Sequence, residues 1–277
     1  MAPPPSPPSG PRSITQSAHL IISRLCSITS SDPPDDYLHL WTFAPDGSGP
    51  SQNVGGFLCR AALEPISAAG VLLLGNCGAG IRSAGRVVWY DDAGAQKWSN
   101  SPGLAFPLDA TAGDSGGNVL VTAASDAVRG RTPGDLVGRW IAPDGSLSGD
   151  WFVIVTGNTT PSTLQPLIGG GVAVMQNGKW VAVVPALGAP RSPPDWLVSR
   201  PDHDFRIVRG GKAYAFTSRI VAPASGGPSV EVVAPSGLSC GTFDTKGSAA
   251  TVGADGSVIA NNDSCARRVW PRLLGAR

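Results

Sequence analysis

Apolar residues fall in short runs along this chain, and a turn signal precedes most of them. Leu63-Glu64-Pro65-Ile66 leads through Ala69-Gly70 into Val71-Leu72-Leu73-Leu74. Leu108-Asp109-Ala110-Thr111 leads through Ser115-Gly116-Gly117 into Val119-Leu120-Val121. Leu164–Leu167 and Val172–Val174 flank Gly169-Gly170-Gly171. Phe205–Val208 and Ala213–Phe216 flank Gly210-Gly211, and Ala249–Val252 and Val258–Ala260 flank Asp255-Gly256. Glycines 70, 117, 171, 211 and 256 stand about 47 residues apart on average, a spacing that marks a repeated unit of several strands. Ser13–Gln16 followed by Leu20-Ile21-Ile22 reads as a sixth copy that lacks the glycine.

A second series keeps step with the first. Leu38–Phe43 leads to Pro45-Asp46-Gly47, Val87–Tyr90 to Asp92-Ala93-Gly94, Val137–Ile141 to Pro143-Asp144-Gly145, and Val230–Val233 to Pro235-Ser236-Gly237. Such turns between apolar runs are strong hairpin signals, because glycine takes positive φ without steric cost. Each unit therefore reads as inner strand, glycine turn, second strand, loop, third strand, tight turn, outer strand. The fourth unit has no clean copy of the second series and carries the Pro-rich stretch Leu187–Pro194 instead. The last unit ends at Val269-Trp270-Pro271 without a clear outer strand.

Composition agrees with many short strands. The 277 residues include 36 glycines and 26 prolines, and only 15% are charged. Both residue types punctuate turns and weaken helices. No long stretch repeats at the helical period. The expected fold is all-β: a single β-propeller over residues 13–277, six four-stranded blades by the count of units, with five or seven also fitting the spacing. Residues 1–12 hold six prolines and read as an extended tether. That Pro-rich start makes a poor strand donor for closing a ring.

The stretch Asp114-Ser115-Gly116-Gly117-Asn118-Val119-Leu120-Val121-Thr122 is similar to the D-x-x-G-N-hydrophobic-x-hydrophobic-T core of repeats in bacterial secreted propeller proteins. The resemblance is sharp in this unit and loose in the others. It implies an extracytoplasmic propeller and carries no catalytic residues over. Gly113–Gly117 also resembles the nucleophile loop of trypsin-like serine proteases. That reading fails on spacing: His19 stands too early, a long segment follows Ser115, and Asn118 occupies the place of that family's usual proline.

The function classes narrow from here. Net charge is +1, which excludes a basic field for nucleic acid. No run of about 20 apolar residues could span a membrane as a helix. Of the five cysteines, Cys59 and Cys77 bracket the Ala68-Ala69 turn, and Cys240 and Cys265 bracket the Asp255 turn. The expectation is two bridges, Cys59–Cys77 and Cys240–Cys265, in an oxidising compartment, with Cys26 left over. The chain is expected to be secreted, periplasmic or at the cell surface, and monomeric. No Cys-x-x-Cys spacing points to zinc, and no metal or cofactor is expected.

Five polar connections should share one rim: residues 32–36, 82–86, 126–131, 202–204 and 262–267. From them Asp36, Arg82, Asp126, Arg129, His203 and Asp263 are the candidate ligand-binding residues. Mixed Asp, Arg, His and Asn suit a glycan or protein ligand. The alternative is a hydrolase or lyase with an acidic and His site on the same face. The eight tryptophans read chiefly as packing, with exposed ones suited to stacking on sugar rings.

Overall fold

The computed structural model describes residues 12–14, 20–28, 35–43, 51–55, 60–64, 70–76, 85–91, 95–102, 108–128, 131–218, 229–245, 249–253, 256–261 and 267–275, with most side chains from residue 70 onward. Among these the chain is all-β apart from a 3-10 turn at Ser125–Ala127 and the single-turn helix α1 (Asp195–Val198). Its strands form six antiparallel sheets in chain order. The first holds β1 (Arg12–Ile14), β2 (Leu20–Ile28), β3 (Asp35–Phe43) and β4 (Ser51–Gly55). The second holds β5 (Arg60–Glu64), β6 (Val71–Asn76), β7 (Gly85–Tyr90) and β8 (Gln96–Asn100). The third holds β9 (Ala110–Gly113), β10 (Val119–Ala124), β11 (Leu136–Ile141) and β12 (Leu147–Val155). The fourth has β13 (Ser162–Pro166), β14 (Val172–Gln176) and β15 (Lys179–Val184). The fifth has β16 (His203–Val208), β17 (Ala213–Ser218), β18 (Ser229–Val233) and β19 (Ser239–Asp244). The sixth has β20 (Ala249–Val252), β21 (Val258–Asn261) and β22 (Arg267–Trp270). Every sheet is a meander in which neighbours in sequence are neighbours in space.

One turn design recurs. In the β9–β10 hairpin the Asp114 N–H donates to the Asn118 carbonyl at 2.9 Å and the Gly117 N–H to the Asp114 carbonyl at 3.1 Å. Ala142–Ser146, Ala234–Leu238 and Gly253–Ser257 repeat both bonds. The fourth residue of each must take positive φ, and it is glycine in each: 81° at Gly117, 86° at Gly145, 91° at Gly237 and 78° at Gly256. At Gly117 a second constraint applies, since a Cβ would stand 2.9 Å from the Trp89 ring of the second sheet. The Asp114 side chain, fully buried, tightens the turn. Its Oδ1 accepts the Gly116 and Asn118 N–H groups, each at 2.9 Å.

The long apolar runs arise because each middle sheet is covered on both faces. Along β10, Val119, Val121 and Ala123 pack with Leu72, Leu74, Val87 and Trp89 of the second sheet. Leu120, one residue out of phase, packs with Leu164, Val172 and Val174 of the fourth. The alternation continues: Ala173 and Met175 meet Phe205, Tyr214 and Phe216 of the fifth sheet, whose Ala213 and Ala215 meet Ala250, Val252 and Val258 of the sixth. A strand buried on both faces reads as a continuous apolar run, whereas one exposed face would give strict alternation. Each fully buried Val or Leu contributes roughly 1.5–3 kcal/mol, so these layers dominate the stability of the stack.

The expected strand order within units is present, and so are its two gaps. The fourth sheet lacks an outer strand; its Pro-rich stretch carries Arg191, which bridges Val183 of β15, and then α1. The sixth sheet ends at β22, followed by a turn that returns Leu274 to the Gly256 hairpin through a 2.9 Å bond. The described tryptophans are packing residues. Trp89, Trp98, Trp140, Trp151 and Trp180 are all buried, while Trp196 stacks on Tyr214 at 5.3 Å and Trp270 sits edge-on to Phe243 at 5.1 Å. Trp41 lies on β3, and its side chain is outside the described residues.

The cysteine expectation finds no support among the described residues. Cys240 carries a free, exposed thiol there. The symmetric bracketing treated Cys240 as an extension of the last hairpin, but residues 239–244 form β19, the outer strand of the preceding sheet. Cys59, Cys77 and Cys265 lie outside the described residues, as does the side chain of Cys26.

The turn analysis makes a direct prediction. Ser115 is exposed at the tip, so Ser115→Ala should change stability by less than about 0.5 kcal/mol. Gly117→Val should cost about 1 kcal/mol or more through φ and the Trp89 clash. Asp114→Ala should cost about 2 kcal/mol by removing the acceptor of the buried Gly171 N–H and of the turn N–H groups of Gly116 and Asn118. Urea unfolding of the three variants checks this order; a Ser115 variant as damaged as Asp114→Ala would refute it.

Candidate functional site

An antiparallel meander puts its first and third turns at one end and its middle connection and exit at the other. The glycine turns therefore share one end of each sheet, and the longer polar connections share the other. Two contacts show that the third and fourth sheets stand the same way up. At the glycine-turn end, the Gly171 N–H donates to Asp114 Oδ2 at 3.2 Å. At the connection end, the Ser162 N–H donates to Asp109 Oδ2 at 2.7 Å. Inner strand β9 is thus held to the next hairpin by a carboxylate at each of its ends.

The connection-end contact is the more elaborate. Asp109 Oδ2 also accepts the Ser162 hydroxyl at 2.6 Å and the Thr122 hydroxyl at 3.5 Å. The two hydroxyls are 3.1 Å apart. Thr122 is fully buried, pairs with Ala110 in the ladder and faces the fourth sheet. Ser162 pairs directly with Gln176 across β13 and β14. Paired residues of antiparallel strands share a face, so Gln176 caps the same apolar layer. Its Nε2 donates to the Thr160 carbonyl at 2.6 Å. Gln176 Oε1 is buried with no partner among the described residues. Burial raises the Asp109 carboxyl above its ordinary value, and the bonds from Ser162 and Thr122 pull against that rise.

Ser162 and Thr122 donate to Asp109, and among the described residues no histidine or second carboxylate is hydrogen-bonded to it. Among the described residues no three His, Cys, Asp or Glu side chains come together as a metal centre.

The residues singled out from sequence are only partly gathered here. Asp126 is exposed in the 3-10 turn of the β10–β11 connection. His203 opens β16, half-buried, with Nδ1 2.6 Å from the Pro201 carbonyl. Both stand at the connection end of their sheets, and neither bonds to the other. Asp36 is the second residue of β3, at the same end of the first sheet; its side chain is outside the described residues, as are Arg82, Arg129 and Asp263. His203 lies near the seam between the fourth and fifth sheets. There the Arg200 guanidinium clasps Glu231 with two bonds of 2.7 Å. These bonds hold the Glu231 carboxyl below its ordinary value. Ser115 sits at the opposite end, at the tip of a glycine turn.

Sequence reading passed over Asp109, Thr122, Ser162 and Gln176. A polar residue at the connection end of an inner strand was visible in Asp109 and Ser162. Their convergence across 53 residues was not, because it depends on how two sheets stack.

No family model matches the chain, and no curated protein matches it. Solved structures do. The crystal structure of a protein from Lactobacillus plantarum is 12% identical with a TM-score of 0.42, over 92% of this chain and 81% of that one. The crystal structure of a eukaryotic initiation factor is 6% identical with a TM-score of 0.39, and 85% of this chain covers 55% of that one. At these values neither likeness bears on what this chain does.

The raised Asp109 carboxyl has a consequence for pH. The native state holds this proton more tightly than the unfolded chain, so this group's contribution to stability is greatest below its ordinary value of 3.8 and falls as pH rises through the folded value. Asp109→Asn keeps an acceptor for Ser162 and removes the titration. Urea unfolding from about pH 3 to about pH 7 should show the variant gaining on the wild type as pH rises. Parallel curves would contradict it.

Proposed function

We propose that this chain is a six-bladed β-propeller that works outside the cytoplasm as a binding or display module, taking a polar glycan or protein ligand at the connection end of its sheets. The observation that carries the fold reading is the face-to-face succession of meander sheets, each middle sheet burying both faces against its chain neighbours. The binding reading is supported by the division of labour between the two ends. Tight hydrogen-bonded glycine turns occupy one. The other carries Asp126, His203 and the Asp109 node on longer connections. Connections set on a rigid scaffold are where binding residues concentrate. The buried tryptophans turn the ligand chemistry away from sugar-stacking platforms and toward polar contacts. An exported protein would also accommodate a Cys59–Cys77 bridge, since Arg60 pairs with Asn76 at the open end of that hairpin.

Ring closure has its own test. In a ring the first sheet has two neighbours, the second and the sixth. Removing residues 1–55 should then speed amide hydrogen exchange in both β5–β8 and β20–β22. Acceleration confined to β5–β8 would mean an open stack. For binding, a glycan array or pull-down first finds a partner, and Asp126, Arg129 and His203 are then changed to Ala one at a time. Loss of about tenfold in at least one is expected. Unchanged affinity in all three, with binding lost on altering the Asp46 or Asp144 turn, would place the site at the opposite end.

A further inference from the structure

The seam between the third and fourth sheets has an uneven balance of donors and acceptors at its connection end. Asp109 Oδ2 accepts the Ser162 N–H and hydroxyl, with the Thr122 hydroxyl 3.5 Å away, while Oδ1 takes no hydrogen bond among the described residues. Gln176 Oε1 is buried with no partner among the described residues, and its orientation is fixed, because turning the amide over would aim an oxygen at the Thr160 carbonyl. Ser162 joins the two groups: it bonds Asp109 and stands directly opposite Gln176 in the ladder. The Gln176 side chain is only 2% exposed, and native structures rarely leave such an acceptor unpaired. The open valences are thus a carboxylate oxygen and an amide oxygen, both acceptors, at the mouth of one apolar layer. Asp109 is half-buried rather than sealed, so the node meets solvent on its Asp109 side while Gln176 Oε1 lies beneath.

We infer that this seam binds a primary ammonium group, of the kind a lysine side chain or an amino sugar presents. An ammonium is a compact cation with three donors. It would give one proton to Asp109 Oδ1 and one to Gln176 Oε1, leaving the third for water. A divalent cation fits less well. Calcium takes six to eight oxygens, usually from several carboxylates, and this node offers one. A guanidinium needs two parallel acceptors on one planar group, and Asp109 Oδ2 is already occupied. The inference rests on reading the connection end as the binding face, but it does not depend on ring closure.

The test follows the Ser162 amide of the full chain by NMR, because its N–H lies on Asp109. Methylammonium and glucosamine are titrated, with N-acetylglucosamine and calcium chloride as controls. Saturable shifts with both amines, and none with N-acetylglucosamine, are expected. Asp109→Asn should weaken amine binding about tenfold or more, and Gln176→Met about threefold or more, with both proteins still folded by their remaining amide spectrum. Several outcomes would overturn the inference. They are no saturable response, an equal response to N-acetylglucosamine, a response to calcium alone, or full binding by both variants. An amine-blind protein that still binds a partner through Asp126 or His203 would remove this site and leave the proposed binding face standing. Amine binding with no partner found at that face would do the reverse.

Discussion

Everything in this molecule depends on burying both faces of its middle strands. A lone meander with the sequence of a middle sheet would expose two apolar faces to water. Here the neighbouring sheets cover them. Val119, Val121 and Ala123 face backward to the second sheet while Leu120 faces forward to the fourth. The same division runs through β14 and β17. No unit can be stable alone, so the repeats and their spacing are a consequence of the packing.

The polar contacts refine this stack. Non-directional apolar layers would tolerate sheets sliding past each other. Asp114 and Asp109 prevent that at β9, since each takes a backbone N–H from the following hairpin at opposite ends of the strand. Other seams use other means. The Ile168 N–H donates to the Tyr214 hydroxyl at 2.8 Å, and Arg200 clasps Glu231 while lying 5.3 Å from the centre of the Phe216 ring. Tryptophans under glycine turns do the rest. Trp98 fills the space a Cβ at Gly145 would need, and Trp196 does so at Gly237. Each of these contacts joins a residue of one unit to the next.

The two ends of the sheets differ for a physical reason. At the glycine-turn end the described turns are short loops closed by their own backbone hydrogen bonds. At the other end the chain must pass between strands and between sheets, over longer polar segments. Asp109 lies at the start of an inner strand, and its Oδ2 serves the seam by accepting the Ser162 N–H and hydroxyl.

What the sequence determined by itself was the strand inventory. Apolar runs, glycine spacing and turn dipeptides are local signals, and they located the hairpins around Gly117, Gly145, Gly211 and Gly256, as well as the two incomplete units. The turn chemistry also placed Ser115 at a loop tip. Tertiary structure decided what lies between units. It gave residues 239–244 to the fifth sheet, which freed Cys240 from the last hairpin. It buried Trp89, Trp98, Trp140, Trp151 and Trp180, because each sheet covers its neighbour's face. It also brought Asp109, Thr122, Ser162 and Gln176 to one point. No local pattern encodes that convergence, since the stacking of one hairpin on the next sets which distant polar side chains meet.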